Sequence, residues 1–271
     1  MVVWCAAIFP TVLLGQLSLS VSAGLAGEVG EPAPTLPSRE PGPYTVAKDA
    51  ANAFDEAFGA GVNTHLRLNY AFSRHLAADL DLSIFSSLSQ SRKTELNGEV
   101  EMKTQLNSPR LLVNPGISLS TGWRVFAPYL RLGVLLPGYQ PIRIQREIRS
   151  DTDLWVRDVR INSQTTFGVS GSLGFTYQVG DRIRLFYEME LRNHSARLKK
   201  AEVLTYQHNE MELLPELIPY QRQAEFFREL PVDANQASSP NFDPNRPEQL
   251  RTRDKSLRQM TSNLGIIIRL N

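Results

Sequence analysis

Residues 58–88 read FGAGVNTHLRLNYAFSRHLAADLDLSIFSSL, and the period of this stretch decides the fold. From Phe58 to Tyr70 one set is Phe58, Ala60, Val62, Thr64, Leu66, Leu68 and Tyr70, and the intervening set is Gly59, Gly61, Asn63, His65, Arg67 and Asn69. From Leu76 to Leu88 the apolar set is Leu76, Ala78, Leu80, Leu82, Ile84, Ser86 and Leu88, with Asp79, Asp81 and Ser83 between them. Only a strand turns successive side chains to opposite faces, so both segments are predicted strands. The connection Ala71–His75 is short enough for a tight turn, which makes them an antiparallel hairpin.

The same alternation recurs at 111–120, 126–136, 167–177, 183–192 and 263–270. These seven strands are each long enough to cross a bilayer at a tilt. Single-chain bacterial barrels have an even number of strands, so an eighth is expected. The best candidate is 17–25, where Leu17, Leu19, Val21, Ala23 and Leu25 alternate with Ser18, Ser20, Ser22 and Gly24.

Upstream, Met1 to Leu14 is apolar apart from Pro10 and Thr11, and no charge occurs before Glu28. The segment is too short for a spanning helix and reads as the apolar region of a secretory signal without its basic start. Cleavage after Ala23 and cleavage near Gln16 both fit; the second keeps the eighth strand, so 1–16 is assigned to the signal-like segment and 17–271 to the barrel.

Connection lengths set the topology. Ala71–His75, Thr121–Arg124 and Val179–Arg182 are short, whereas about 27–57, 89–109, 138–162 and 196–258 are long. Strict alternation of short and long connections predicts an all-β, eight-stranded antiparallel transmembrane up-and-down β-barrel with periplasmic turns and long extracellular loops, placed in a bacterial outer membrane. Tyr70, Phe72, Trp123, Phe126, Tyr177 and Tyr187 gather toward the short-turn ends as an aromatic girdle, and Phe58, Tyr139, Trp155 and Phe167 toward the other. A soluble barrel also alternates, but its water-facing set would be long and charged; here the polar set is rich in Gly, Ser and Asn, which suits a narrow lumen.

Composition alone hides this. The chain has 271 residues with 42% hydrophobic and 21% charged residues, and its mean hydropathy of −0.25 averages two opposite faces. That balance excludes a polytopic helical membrane protein and a collagen-like chain. The formal net charge of +1 leaves no basic field for nucleic acid, and the single cysteine, Cys5, cannot form an internal disulfide.

An eight-stranded lumen is filled by its own side chains, so charges in it must pair. If Tyr70 pairs with Leu76, Arg67 falls opposite Asp79 and His65 opposite Asp81. With Arg131, Arg184, Glu188, Glu190, Arg192 and Arg269 these form a predicted structural ion-pair network. A gated narrow pore is the sharper alternative.

The loops would carry recognition. Residues 138–162 look like a protruding hairpin; in 196–258, Arg197–Tyr206 extends the preceding strand, Gln221–Glu229 suits a short helix, and Pro231–Pro247 suits a mobile segment. The last loop holds ten basic and ten acidic residues and therefore has no one-sided field for a ligand class. An enzyme reading fails on geometry: His194 and Ser195 are adjacent in a strand and point to opposite faces. No phosphate-binding Gly loop or metal-ligand spacing is present, so no cofactor or metal is expected. Partners are then outer-membrane lipid, the barrel-assembly machinery and an unknown extracellular ligand.

The run SPRLLVNPGISLSTGWRVFAPYLRLGVLLPG (108–138) and the run TTFGVSGSLGFTYQVGDRIRLFYEMELRNHSARLKKAEVLTYQHN (165–209) resemble two successive hairpins of the OmpA-like outer-membrane β-barrel proteins common in Bacteroidota. Leu214-Pro215, the segment Pro244 to Pro247, and Lys255-Ser256-Leu257 before the closing strand add to the resemblance, which covers most of 58–271. It implies an outer-membrane location and a non-enzymatic barrel, frequently of unassigned role. The sequence as a whole reads as a structural or surface-interaction protein acting through the loops around 138–162 and 196–258, with a narrow porin-like channel for small solutes or ions as the alternative. The ending Arg269-Leu270-Asn271 departs from the C-terminal aromatic residue that the assembly machinery favours.

Overall fold

The computed structural model describes residues 15–29, 46–47, 50, 60–87, 90–96, 100–150, 152–252 and 254–270. Most of the signal-like segment, most of 27–57 and Phe58 lie outside the described residues. In chain order the strands are β1 (Gln16–Glu28), β2 (Gly61–Ala71), β3 (Leu76–Ser87), β4 (Gln90–Leu96), β5 (Val100–Asn107), β6 (Arg110–Ser120), β7 (Phe126–Leu135), β8 (Tyr139–Arg149), β9 (Leu154–Thr165), β10 (Gly168–Gln178), β11 (Ile183–His208), β12 (Met211–Glu212), β13 (Gln223–Phe227), β14 (Glu248–Arg251) and β15 (Asp254–Arg269).

Eight of them close on themselves in the order β1-β2-β3-β6-β7-β10-β11-β15 and back to β1, every neighbour antiparallel. The chain therefore forms an eight-stranded antiparallel barrel, and β1 supplies the eighth strand by pairing with β2 and β15. Closure leaves no free edge in the wall. Along each strand the two sets separate by polarity. Leu66, Leu80, Ile117, Leu132, Leu173, Leu191 and Leu264 are exposed outward, while Asn63, Asp81, Asn114, Arg131, Ser172, Glu190 and Thr261 are buried inside. No helix among the described residues is long and apolar enough to cross a membrane.

One register differs from the expectation. Tyr70 pairs with Ala78 rather than Leu76, which places Arg67 opposite Asp81, Asn69 opposite Asp79 and His65 opposite Ser83. The cause is the turn chemistry at Ser73. Its hydroxyl oxygen accepts from the backbone N–H groups of His75 and Leu76 (3.1 Å each), and Leu76 O accepts from Phe72 N and Ser73 N, drawing Leu76 toward the turn.

The long connections are themselves folded. The upper half of β11 continues beyond the barrel and joins a second sheet in the order β4-β5-β8-β9-β11-β13-β14, with β12 turning back on the tip of β11. Residues 89–109 thus supply the hairpin β4–β5, and 138–162 supply most of β8 and β9. The expected helix at Gln221–Glu229 is not formed: one helical turn, α1 (Pro219–Arg222), gives way to β13. In β13 Ala224 and Phe226 are buried at period two against β11 and β14, and that pairing overrides a helix. Nor is 231–247 featureless: the buried Asn235 amide donates to the carbonyls of Asp243, Arg246 and Pro247 and holds the turns together.

The main apolar core lies in this second sheet. Ile142, Ile144, Val159, Ile161, Leu198, Val203, Phe226 and Leu257 pack with Ala196, Ala201 and Ala224, and Val46, Ala47 and Ala50 are buried in the same cluster.

Candidate functional site

The barrel wall positions the charged side chains because its inward positions fall at every second residue of eight tilted strands. At mid-height the structure brings eight of the predicted residues together. Arg67 donates two hydrogen bonds to Glu188 at 2.8 and 3.0 Å, and lies 3.8 Å from Asp81. Arg131 holds Asp79 (2.6 Å) and approaches Glu190 (3.7 Å), while Arg192 bonds Glu190 at 2.8 Å. His65 Nδ1 lies 2.9 Å from Asp81. Three guanidiniums thus sit among four carboxylates, with the imidazole on Asp81. The pair Arg67–Glu188 spans the lumen, since β2 and β11 are not neighbours in the wall.

Neutral groups complete the layer. Tyr129 Oη donates to Glu188 (2.8 Å), Ser118 Oγ to Asp79 (2.9 Å), and Asn114 to Glu190 (3.3 Å). Tyr129 and Asn114 stand at inward parity, so the alternation already marked them, but charge alone does not. Wall glycines make the room: a Cβ at Gly133 would meet Asn114 Oδ1 at 2.3 Å and one at Gly174 the Tyr129 ring at 2.6 Å.

Two predicted members lie elsewhere. Arg184 and Arg269 are half-buried at the short-turn mouth and form no ion pair among the described residues. Above the layer, Arg110 stands 4.6 Å from the Phe85 ring centre and 3.2 Å from His194, and Phe85, Leu112, Leu135 and Leu257 are buried at this level. His194 is buried inside; Ser195, on the other face, has its backbone bonded to Thr166.

His65, Asp81 and Glu190 offer ligand atoms within 4.8 Å of one another, the one such group among the described residues. Arg67, Arg131 and Arg192 already contact its two carboxylates. A divalent cation there would enter among three guanidiniums, so the donor set fits ion pairing better than metal binding.

The aromatic residues divide. Tyr70, Phe126 and Tyr177 are exposed on the outer face near the short turns, while Phe72 and Trp123 are exposed on the turns themselves, at the mouth of the barrel. Tyr70 packs edge-on against Phe72 (5.2 Å between ring centres), and Phe126 lies 5.3 Å from Phe175. Tyr187 stands higher, 5.7 Å from Phe175, and accepts a hydrogen bond from Ser262 Oγ. At the other end Tyr139 and Phe167 are exposed, but Trp155 belongs to the tip of the second sheet, stacked on His208 at 3.9 Å.

No family model matches the chain, and no curated protein matches it. Among solved structures it is similar to a major outer membrane protein from Thermus thermophilus, with 9% identity and a TM-score of 0.38 over 95% of this chain and 100% of that one.

Proposed function

We propose that this chain is a non-enzymatic outer-membrane β-barrel protein whose lumen is closed by ion pairs and whose long connections form an extracellular sheet for structural or surface contacts. The observation that carries this reading is the inverted polarity of the barrel. Its outward face from Met260 to Leu270 carries exposed Leu264, Ile266 and Ile268, and the inward face carries Thr261, Asn263 and Arg269. Ten steps of about 3.3 Å, tilted about 40°, give a belt roughly 25 Å high, the height of a bacterial outer-membrane apolar band. An apolar belt of this extent on a soluble monomer would be an association liability. Lipid covers it, and insertion would use the barrel-assembly machinery. The resemblance to OmpA-like barrels enters at the level of the eight-stranded architecture.

The paired layer argues against steady conduction, because opening it would leave buried charges without partners. Heat-modifiable migration and a need for detergent are expected of the purified protein, with no regular single-channel steps in planar bilayers. A stable detergent-free monomer would sink the membrane reading; regular conductance would replace the closed lumen with the narrow-channel reading and leave the barrel intact.

A further inference from the structure

The short-turn mouth of the barrel opens into a cavity of about 360 Å³, at the small end of the range for ligand pockets. Arg67, Arg74, Arg184, Arg269 and His75 line it, and among the described residues no aspartate or glutamate does. This contrasts with the layer just above, where carboxylates neutralise the guanidiniums. The lumenal carboxylates that touch its lining residues are already engaged, Glu188 by Arg67 and Tyr129 and Asp79 by Ser118 and Arg131. Arg184 and Arg269 stand on adjacent strands, β11 and β15, with Arg184 opposite Ile267 two residues from Arg269. Among the described residues Arg184 reaches only Gln178 Oε1, at 3.5 Å, and its Nε has no hydrogen-bond partner. Two half-buried like charges facing one space are a cost that an anion would relieve.

Serine and threonine hydroxyls from Ser18, Ser20 and Thr176 complete the walls, with Phe186 and Ile267 as an apolar patch. We propose that this vestibule binds a small organic phosphate: Arg184 and Arg269 hold the anionic group, and the hydroxyl-lined wall accommodates a short hydroxylated body. The shared chemistry is a phosphate ester, supplied by a soluble metabolite or by a lipid headgroup folded into the mouth.

Trp123 lines the same cavity and reports on it. In the full chain carrying Trp4→Phe and Trp155→Phe, which leaves Trp123 as the one tryptophan, titration with glycerol 3-phosphate in detergent is expected to give a saturable change in tryptophan fluorescence, and glycerol none. Arg184→Gln with Arg269→Gln should weaken binding at least tenfold while heat-modifiable migration is kept. Ser18→Asp, which sets a carboxylate beside Arg269 across the β1–β15 pairing, should weaken it comparably and serves if the double variant does not assemble. No saturable response, or equal affinity in parent and charge variants, overturns the proposal. Repeating the titration in nanodiscs separates the sources. Loss of affinity when phosphatidylglycerol replaces phosphatidylcholine marks a headgroup occupant, and undiminished affinity marks a soluble one. Because binding is read in detergent, its failure leaves the membrane reading untouched, and the migration assay tests that reading alone.

Discussion

One strand serves two regions with opposite interiors. In its lower part β11 turns Glu188, Glu190 and Arg192 inward and Leu185, Met189 and Leu191 outward. From Ala196 upward the buried residues are Ala196, Leu198, Ala201 and Val203, while Arg197 and Lys199 lie on the other face. The inversion is repeated on β15, where Leu257 joins the apolar core and Gln259, Thr261 and Asn263 face the lumen. The same backbone geometry therefore encloses either polarity. Under the proposed membrane reading the medium outside selects it: lipid around the barrel leaves the charges only each other, and water around the second sheet returns the apolar groups to its interior.

That contrast can be broken at either end. The largest effect is expected from Glu188→Leu, which leaves buried Arg67 with only the distant Asp81 and orphans the Tyr129 hydroxyl. A loss of about 3–5 kcal/mol is expected in urea unfolding of the barrel in vesicles. Adding Arg67→Met should recover most of it, because the pair as a whole contributes little net stability. If the double variant is no better than Glu188→Leu alone, Arg67 and Glu188 are not a matched pair. In the second sheet the equivalent damage is a cavity: Ile161→Ala should cost about 2–5 kcal/mol. The loss should appear as faster proteolysis above the barrel with heat-modifiable migration unchanged, so joint unfolding of both regions would show that they form one cooperative unit.

A third variant compares the outer faces directly. Leu264→Arg, in the middle of the apolar belt, should destabilise by about 2–4 kcal/mol in vesicles. Gln145→Arg, on the exposed face of the second sheet, should fall within about 0.5 kcal/mol. Equal effects would mean that the belt is not in lipid.

The two regions also differed in how far they could be read. All eight barrel strands were legible because their outward and lumen-side sets differ sharply in polarity over ten or so residues. The second sheet was legible only in part: the hairpin at 138–162 and the upward extension of β11 were read, but β4–β5 and β13 were not. Two bulges in β11, between Leu198 and Lys200 and between Val203 and Thr205, shift its parity, and much of its core is alanine, which carries little apolar signal. β13 is short enough to pass for an amphipathic helix. In the site, parity placed the charges inside, but strand register names only neighbours in the wall. It could not name the contact Arg67–Glu188 across the lumen, and the hydroxyl of Ser73 moved the neighbours as well. Arg184 and Arg269 share the inward parity of the network and fall in its short-turn half by direction of travel, but parity gives a face and names no partner, so it did not show that they stand outside the paired layer.

The smallest effect is expected at the junction, where Arg197 clamps Asp254 with two hydrogen bonds of 2.6 and 2.8 Å between β11 and β15. Those bonds hold the Asp254 carboxyl below its ordinary value of 3.8, against some opposing burial. A depressed carboxyl stabilises the fold above its unfolded value and loses that contribution as pH falls through the lower folded one, so the clamp should weaken below about pH 4. Half of the Asp254 side chain is exposed, so water and salt screen the pair and it contributes about 0.2–1 kcal/mol. Asp254→Asn should remove this part of the pH dependence, read as protease resistance of the second sheet between pH 6 and pH 3, and leave the barrel's migration unchanged. If the variant and parent keep the same pH profile, the clamp does not couple the two regions, and the continuous backbones of β11 and β15 suffice to join them.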